Sequence, residues 1–393
     1  MEYRRFGKTE ISMPVLTCGG MRFQFSWNRS DSPTRESRQR VKSTVSKALE
    51  LGINHIETAY GYGTSEKEIG DVIKGLPRDS FILQTKASPR KDVNEFLKRI
   101  EDSLKILQVD YVDLFAIHGI NNEELLQYSL NKGGCLETAL KLKEKGVIRH
   151  VGFSSHGPAE IILKTMKSGG FAFVNLHWYY FFQDNWPVII EASNRDMGVL
   201  IISPNDKGGK LYDPPERLRQ LTSPLSPMAF NDLFCLSRKE VHTLSTGAGK
   251  PSDYDEHINA LNIHDRREEL ISEIADRMKK RFNNMLGEEW AETWKEGLPQ
   301  WHETPGNINI PAILFLWNLV KAYDMIKYGK MRFNLMGNGD HWFPGNRPDS
   351  LGKYDFSKCL KNSPHSKKIP AILKEAYDIL SGKEVKRLGG KND

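Results

Sequence analysis

Short apolar runs alternate with helical stripes along most of the first 262 residues. Clear apolar runs occupy residues 81–86, 111–118 and 173–176, and a stripe at helical spacing follows the first of them at Phe96, Ile100, Leu104 and Leu107. Each such crossover returns the chain to the same end of a parallel sheet, and eight strand–helix units close a barrel. The sequence therefore predicts an α/β fold, a (β/α)8 TIM barrel over residues 1–262, followed by a helical C-terminal domain over residues 263–393.

The other elements of the barrel are predicted from the same two patterns. A strand ends at residue 57, and further strands span residues 14–17, 150–154, 199–203 and 241–245. Helices are predicted over residues 36–51, 65–70, 136–145, 158–167, 186–195, 227–237 and 252–260. Segments 22–35, 121–133, 179–186 and 211–224 are predicted as loops that determine the substrate.

Two local motifs add detail to this barrel. Residues 3–11 contain a Gly7-Lys8 turn between two short runs, which predicts a hairpin that plugs the bottom of the barrel. Ser65 and Glu68 fit a capping box, because a hydroxyl and a carboxylate at this spacing can each bind a free backbone N–H at a helix start.

Each predicted strand ends near a residue that carries chemistry or leaves room for a ligand. These residues are Glu57, Lys86, His118, Ser155, Asn175, Ser203 and Gly247. The C-terminal ends of the strands of a barrel surround one mouth, where active sites lie. We therefore expect these residues to face a common site.

The stretch after the second barrel strand carries a recognisable motif. Residues 57–63 read Glu-Thr-Ala-Tyr-Gly-Tyr-Gly, and Gly61 and Gly63 predict a loop. This stretch resembles the D-T-A-x-x-Y-G motif of the aldo-keto reductases, with glutamate at Glu57 where the family has aspartate. The resemblance implies NAD(P)H-dependent reduction of an aldehyde or ketone, with Tyr62 in the place of the catalytic tyrosine.

The resemblance implies a catalytic tetrad of Tyr62, Lys86, His118 and Glu57. A tyrosine with a pKa near ~10 donates a proton poorly at neutral pH unless a cation stabilises the phenolate. Lys86 can supply that cation, Glu57 can hold it, and His118 can orient the substrate oxygen. Taken singly, Lys86 also fits a solvated charge and His118 a core group. The extra methylene of Glu57 displaces its carboxylate by about 1.5 Å, which predicts weak or specialised activity.

The resemblance also implies a nicotinamide site. Its predicted residues are Gly20 and Met21 after the first strand; Ser154, Ser155 and Asn175 at the carboxamide; Ser203, Pro204, Asn205, Lys207, Gly208 and Lys210 at the pyrophosphate; and Gly247, Gly249, Lys250, Asp253, Glu256 and His257 at the adenosine. NADPH is the expected cofactor, with NADH as the alternative. Gly247 and Asp253 stand where many relatives have a basic residue, and only Lys250 offers a nearby cation. A surface turn accounts for part of the same pattern, and no metal site is predicted.

An internal repeat marks the predicted C-terminal domain. Pro305-x4-Ile-Pro-Ala-Ile-Leu recurs as Pro364-x4-Ile-Pro-Ala-Ile-Leu, and two similar proline-capped helices would give the same pattern. The tail resembles the ferredoxin-like domain of a subset of aldo-keto reductases. Its ligand positions would be Trp294, Gly297, Gln300 and Thr304, then Lys353, Phe356, Cys359 and Ser363. Clusters need thiolates, so we expect no iron–sulfur cluster but a helical cap filled by Trp294, Trp301, Trp317 and Trp342.

The composition and charge of the chain limit the binding partners and the cellular location that we expect. The formal net charge is +6, and the basic clusters at 366–368 and 383–387 are interpreted as solvated, so no nucleic acid is expected. No run approaches a membrane span and no apolar leader is present, which predicts a cytoplasmic protein with reduced cysteines. The expected ligand is a small carbonyl compound, and a partner protein could bind the C-terminal domain. A non-catalytic nicotinamide-binding regulatory or scaffold protein is the alternative function.

Overall fold

Eight parallel strands form a closed barrel. In the computed structural model, which describes residues 1–263, 266–337, 342–348 and 353–382, the strands are β1 (Tyr3–Arg5), β2 (Ser12–Pro14), β3 (Leu16–Gly19), β4 (His55–Glu57), β5 (Ile82–Ala87), β6 (Val112–His118), β7 (Ile148–Ser154), β8 (Phe173–Leu176), β9 (Gly198–Ile201) and β10 (Thr243–Ser245). β3 to β10 follow one another around the barrel and β10 pairs with β3. The predicted (β/α)8 fold is confirmed.

Helices accompany the barrel strands and predominate among the described residues beyond them. The helices are α1 (Arg35–Glu50), α2 (Ser65–Ile73), α3 (Val93–Leu107), α4 (Glu123–Leu130), α5 (Cys135–Glu144), α6 (Ala159–Lys167), α7 (Trp186–Asn194), α8 (Glu216–Thr222), α9 (Pro227–Leu236), α10 (Asp255–Leu261), α11 (Arg267–Leu286), α12 (Glu288–Thr293), α13 (Ile310–Tyr323), α14 (Ile326–Leu335) and α15 (Ile369–Leu380). α4 and α8 form inside segments predicted as loops.

Register brings the polar strand ends to one mouth. His118, the last residue of β6, pairs with Ser154, the last residue of β7. Ser154 pairs in turn with Asn175 of β8. The strands β4, β8, β9 and β10 are buried at every position, as expected where both faces of a parallel sheet are covered. Polar side chains are therefore placed side by side at the C-terminal edge of the barrel.

The N-terminal hairpin packs at the opposite end. β1 and β2 pair antiparallel, from Tyr3 with Pro14 to Arg5 with Ser12. Phe6 is fully buried and its ring centroid lies 5.8 Å from that of Phe173, the first residue of β8. This end carries the N-termini of the strands, so the hairpin leaves the other mouth free.

The predicted capping box does not form. The N-cap residue of α2 is Thr64, and Ser65 lies inside the helix. The Ser65 hydroxyl donates to the Gly20 carbonyl at 2.8 Å. One carboxylate oxygen of Glu68 accepts from Phe25 N at 2.9 Å. Both side chains bind a neighbouring loop, because α2 begins where that loop crosses it.

Contacts divide the chain into two units. The first comprises the described residues of Met1–Gly208 and Asn231–His264, and the second those of Gly209–Phe230 and Asp265–Asp393. The segment 209–230, which the sequence placed within the barrel domain, groups with the second unit. The predicted domain boundary after residue 262 stays a prediction.

The second unit is built around α13, which packs on α11, α14 and α15. Both repeats start helices as predicted, with Pro311 and Pro370 in the first turns of α13 and α15. Trp317 and Trp342 are buried, but Trp294 and Trp301 are only half-buried. The buried Trp290, which the sequence analysis missed, donates to Asn318 Oδ1 at 2.8 Å.

A ferredoxin-like origin of this unit stays a prediction. At Gly297, a predicted ligand position, an added Cβ would lie 2.0 Å from the Asn362 carbonyl oxygen, so a side chain has no room there. Cys18, Cys135 and Cys235 are buried free thiols, and Cys359 is half-buried and also free. The basic cluster at 383–387 lies outside the described residues. Within the described ranges, no helix is long and apolar enough to cross a membrane.

Candidate active site

A buried ion pair lies at the bottom of the mouth. Lys86 of β5 contacts the carboxylate of Glu57 at the end of β4, and the two residues are 1% and 3% exposed. Lys86 Nζ also donates to the Thr58 carbonyl at 2.8 Å. The Ser245 hydroxyl donates to Glu57 Oε2 at 3.3 Å. Burial of two charges requires such partners, and here each charge has one opposite charge and one further hydrogen bond.

Two aromatic rings lie above this ion pair. The ring centroids of Tyr62 and His118 are 5.7 Å apart with an interplanar angle of 86°, an edge-on contact. Lys86 Nζ is 4.9 Å from the Tyr62 ring centroid. Within the described residues no hydrogen bond joins Lys86 Nζ to the Tyr62 hydroxyl. The structure thus places the four predicted tetrad residues together, with the ammonium beside the phenol ring.

Burial shifts the pKa of three of these groups. It raises the pKa of Tyr62 above its ordinary value. It lowers the pKa of Lys86, and the contact with the Glu57 carboxylate opposes that shift. Burial first, and then the charges of Lys86 and Lys207, lower the pKa of His118 to about 3. Tyr62 therefore stays protonated and His118 stays neutral at neutral pH.

A neighbouring loop fixes the segment that carries Tyr62. Arg29 Nη1 donates to the Tyr60 carbonyl at 2.9 Å and to Glu66 Oε2 at 2.5 Å. The Arg29 guanidinium lies 3.8 Å from the Tyr60 ring centroid. At Gly63 (φ +55°) an added Cβ would lie 2.0 Å from the Ser26 carbonyl oxygen, so only glycine fits that close approach.

One predicted carboxamide residue has unsatisfied polar atoms. The side-chain oxygen and nitrogen of Asn175 are buried and make no hydrogen bond. By contrast, Ser154 Oγ accepts from Gly119 N at 3.0 Å, and the Ser155 hydroxyl donates to the Ile120 carbonyl at 2.7 Å. Buried amides without partners are costly, and the Asn175 side chain is able to pair with a ligand that has both a donor and an acceptor.

The loop after β9 carries most of the predicted pyrophosphate residues. Ser203 (φ +52°) and Pro204 begin it, and an added Cβ on Gly208 would lie 2.0 Å from the Pro204 carbonyl oxygen. Asn205 Nδ2 lies 3.2 Å from both the Thr246 carbonyl oxygen and His257 Nε2.

Two lysines of this loop differ in position. Lys207 Nζ lies 3.3 Å from His156 Nδ1 and 3.4 Å from His177 Nε2, so it adjoins two imidazoles that the sequence analysis missed. Lys210 belongs to the second unit, where it pairs with Asp213 at 2.7 Å. The role of Lys210 at the pyrophosphate stays a prediction.

Four of the predicted adenosine residues lie in a tight turn after β10, and Glu256 and His257 lie in α10. Gly247 has φ +65°, and both Gly249 N and Lys250 N donate to Asp253 Oδ2, at 2.8 Å and 3.3 Å. Glu256 is half-buried. The buried His257 donates from Nδ1 to Asp232 Oδ2 at 2.5 Å, which fixes its ring toward Asn205.

The first loop adds cations that the sequence analysis missed. Gly20 and Met21 lie in a 3-10 helix, Gly20–Arg22. Arg22 Nη1 donates to Asp253 Oδ2 at 3.1 Å, and Arg40 Nη1 donates to the Gly249 carbonyl at 3.0 Å. The prediction that only Lys250 offers a cation here is wrong, since Arg22 and Arg40 also lie at this turn. These arginines are more than 200 positions away in sequence, so no local pattern reveals the contact.

Ser245 was also missed, although its place at the end of β10 follows the same rule that identified the other strand ends.

Across the described part of the chain, no group of three or more His, Cys, Asp or Glu side chains is arranged to hold a metal ion.

Sequence comparison shows which known proteins the barrel is similar to. The aldo/keto reductase family model matches residues 15–209, a range that contains the whole tetrad. The uncharacterized oxidoreductase YqkF of Bacillus subtilis is 26% identical over 317 residues, which cover 71% of this chain and 97% of that protein. L-galactose dehydrogenase of Arabidopsis thaliana is 26% identical over 293 residues, 66% of this chain and 88% of that protein.

Solved structures share the same fold. The holo form of an aldo-keto reductase from Bacillus halodurans has a TM-score of 0.59 and 23% identity, covering 70% of this chain and 96% of that one. An aldo-keto reductase from Klebsiella pneumoniae in complex with NADPH has a TM-score of 0.56 and 20% identity, covering 70% and 94%. Over residues 15–209, just under half of its length, this chain is therefore similar to the aldo/keto reductase family.

Proposed function

We propose that this protein reduces the carbonyl group of an aldehyde or ketone with NAD(P)H, and that Tyr62 donates the proton. The observation that carries the proposal is the buried Glu57–Lys86 ion pair, whose ammonium lies 4.9 Å from the Tyr62 ring centroid, with the His118 ring in edge-on contact with Tyr62. Such a pair is costly to bury, and a charged ammonium next to a phenol is the arrangement that lets a tyrosine act as an acid.

The mouth of the barrel fits a nicotinamide cofactor. Asn175 offers an unsatisfied amide to the carboxamide group, and the loop after β9 offers Lys207 to the pyrophosphate. When bound there, the nicotinamide supplies the hydride. The solved relative from Klebsiella pneumoniae binds NADPH, which supports the same class of cofactor here.

The chain's own residues would handle the proton and the orientation. Tyr62 Oη releases its proton to the oxygen of the reduced carbonyl. The Lys86 ammonium stabilises the phenolate that remains, and Glu57 keeps that ammonium charged. His118 is neutral at neutral pH, so it can donate one N–H hydrogen bond to the substrate oxygen without adding a charge.

Replacement of the proton donor tests this proposal. Tyr62→Phe should lower kcat by at least about 100-fold, the contribution typical of general acid catalysis, while nicotinamide Kd stays within about twofold. Tyr60→Phe is the matched control, because it removes a hydroxyl from the same loop. Oxidation of NADH and NADPH would be followed with a panel of aldehydes, ketones and aldoses. Aldoses are included because one relative is an L-galactose dehydrogenase.

Two results would contradict the proposal. If Tyr62→Phe turned over as fast as Tyr60→Phe, another group would be the acid. If the protein bound nicotinamide cofactor tightly but oxidised none of it with any carbonyl, a regulatory or scaffold role would replace catalysis.

A further inference from the structure

The turn after β10 holds an internal carboxylate as if it were a bound anion. Asp253 Oδ2 accepts three hydrogen bonds, from Gly249 N at 2.8 Å, Lys250 N at 3.3 Å and Arg22 Nη1 at 3.1 Å. Successive backbone N–H groups with a guanidinium beside them are the chemistry of an anion site. Here the anion belongs to the chain itself.

The position of this turn relates the Asp253 carboxylate to ligand binding. In (β/α)8 barrels, phosphate groups are frequently bound by the loops that follow the seventh and eighth strands. In this barrel those strands are β9 and β10, and Gly249, Lys250 and Asp253 lie in the loop after β10. A ligand phosphate that approached this turn would meet donors that Asp253 already occupies.

The donors are held rigidly around Asp253. Arg22 Nη1 also donates to the Gly247 carbonyl at 3.2 Å. Arg40 Nη1 donates to the Arg22 carbonyl at 3.1 Å and to the Gly249 carbonyl at 3.0 Å. An added Cβ on Gly249 would lie 2.7 Å from the Arg22 guanidinium, so the turn and the arginine are in close contact. Arg22 is therefore committed to the carboxylate and to the turn.

We propose that Asp253 makes this protein select NADH over NADPH, an inference that rests on the proposed nicotinamide-dependent function. The two cofactors differ only at the adenosine ribose, where NADPH carries a 2′-phosphate and NADH a hydroxyl. A phosphate with a charge near −2 would be repelled by the Asp253 carboxylate and would compete with it for the same three donors.

A ribose hydroxyl suits the same carboxylate. Asp253 Oδ1 accepts no hydrogen bond from any described residue, and the Asp253 side chain is 23% exposed. A 2′-hydroxyl can therefore donate to Oδ1 while Oδ2 keeps its donors, which is how a carboxylate recognises the ribose of NADH in other dinucleotide sites. Asp253 thus disfavours the phosphate and favours the hydroxyl.

The test measures binding, not turnover. Kd values for NADH and NADPH would be obtained by fluorescence titration of the full chain and of Asp253→Asn and Asp253→Ser. The wild type should bind NADH at least about tenfold more tightly than NADPH, the effect of one like-charge contact near a surface. Both variants should bind NADPH at least about tenfold more tightly than the wild type does, because both lose the negative charge and Asp253→Ser also frees the donors for the 2′-phosphate. Asp255→Asn, which removes an exposed carboxylate two positions away, is the matched control and should leave both Kd values within about twofold.

The outcomes separate this inference from the proposed function. Wild-type protein that binds NADPH as tightly as NADH, or more tightly, would overturn the role of Asp253. An unchanged NADPH-to-NADH ratio in both Asp253 variants, at unchanged thermal midpoint, would overturn it too. A protein that binds neither nucleotide would refute the proposed function on which the inference rests.

Discussion

Glu57 has one methylene more than the aspartate of the motif that it resembles, yet its carboxylate still forms an ion pair in the candidate site. Its carboxylate reaches Lys86 and also accepts from Ser245, so the longer side chain keeps the ion pair. The Lys86 ammonium, however, is occupied by Glu57 and the Thr58 carbonyl and lies beside the Tyr62 ring, without a hydrogen bond to the Tyr62 hydroxyl in the described structure. The Lys86 side chain is therefore not directed at the hydroxyl of Tyr62, the proposed proton donor.

Shortening the Glu57 side chain should bring the Lys86 ammonium closer to the Tyr62 hydroxyl. In Glu57→Asp the carboxylate withdraws by about 1.5 Å, which lets Lys86 Nζ move toward the Tyr62 hydroxyl. We expect kcat to rise, by up to about 100-fold if positioning limits the rate, with cofactor Kd unchanged. Steady-state kinetics against the best carbonyl substrate would measure this. Glu57→Gln is the control and should lower kcat, because it removes the charge that holds Lys86. A kcat for Glu57→Asp equal to or below that of the wild type would refute the argument.

Most residues at strand ends were predictable, whereas contacts between loops distant in sequence were not. Lys86 and His118 end strands whose apolar runs are visible in the sequence, so their convergence follows from the closed barrel. Arg22 and Asp232 reach the site through contacts with residues distant in sequence, at Asp253 and His257. Such pairings depend on loop conformation, which neither periodicity nor spacing encodes.

At the scale of elements, the loop before α1 and the start of α2 act as one structure. Glu66 is fully buried and accepts from Arg29, from Thr85 Oγ1 at 2.5 Å and from Ser103 Oγ at 3.1 Å. Thr64 Oγ1 accepts from Phe25 N at 2.8 Å. These bonds tie segment 23–34 to the loop that carries Tyr62, and they explain why the local capping box was wrong: its residues serve a tertiary contact.

Replacing Arg29 should weaken the attachment of segment 23–34 to the loop that carries Tyr62. Arg29→Gln leaves the buried Glu66 carboxylate without its cation, which should lower the free energy of unfolding by about 3–5 kcal/mol. The Tyr62 loop then loses one anchor, so kcat should fall while cofactor Kd changes little. Urea unfolding and steady-state kinetics would measure both effects.

Two further variants make that test specific. Arg29→Gln/Glu66→Gln should regain part of the lost stability, since no buried charge remains. Arg38→Gln breaks the more exposed pair with Asp71 and should cost no more than about 1 kcal/mol. If Arg29→Gln proved as mild as Arg38→Gln, Arg29 would not anchor the loop.

At the scale of the whole molecule, the closed barrel keeps imidazole groups away from water. His55 of β4 is fully buried, and its Nδ1 lies 2.8 Å from the Thr17 hydroxyl. Burial first, and then the nearby Lys86 charge, lower the pKa of His55 to about 3. The folded barrel therefore favours the neutral imidazole, whereas the unfolded chain can protonate it near pH 6.5.

This difference makes the stability of the protein depend on pH in a defined direction. Between pH 6.5 and about 3 the unfolded chain binds the His55 proton and the folded chain does not, so the contribution of His55 is complete above pH 6.5 and is lost as the pH falls. From pH 7 to pH 5 the loss should be about 2 kcal/mol for this one group. In His55→Asn an amide oxygen can replace Nδ1 next to Thr17 and does not titrate. Urea unfolding at both pH values should therefore show a decrease about 2 kcal/mol smaller in His55→Asn than in the wild type, and equal decreases in the two proteins would mean that His55 is protonated inside the folded barrel.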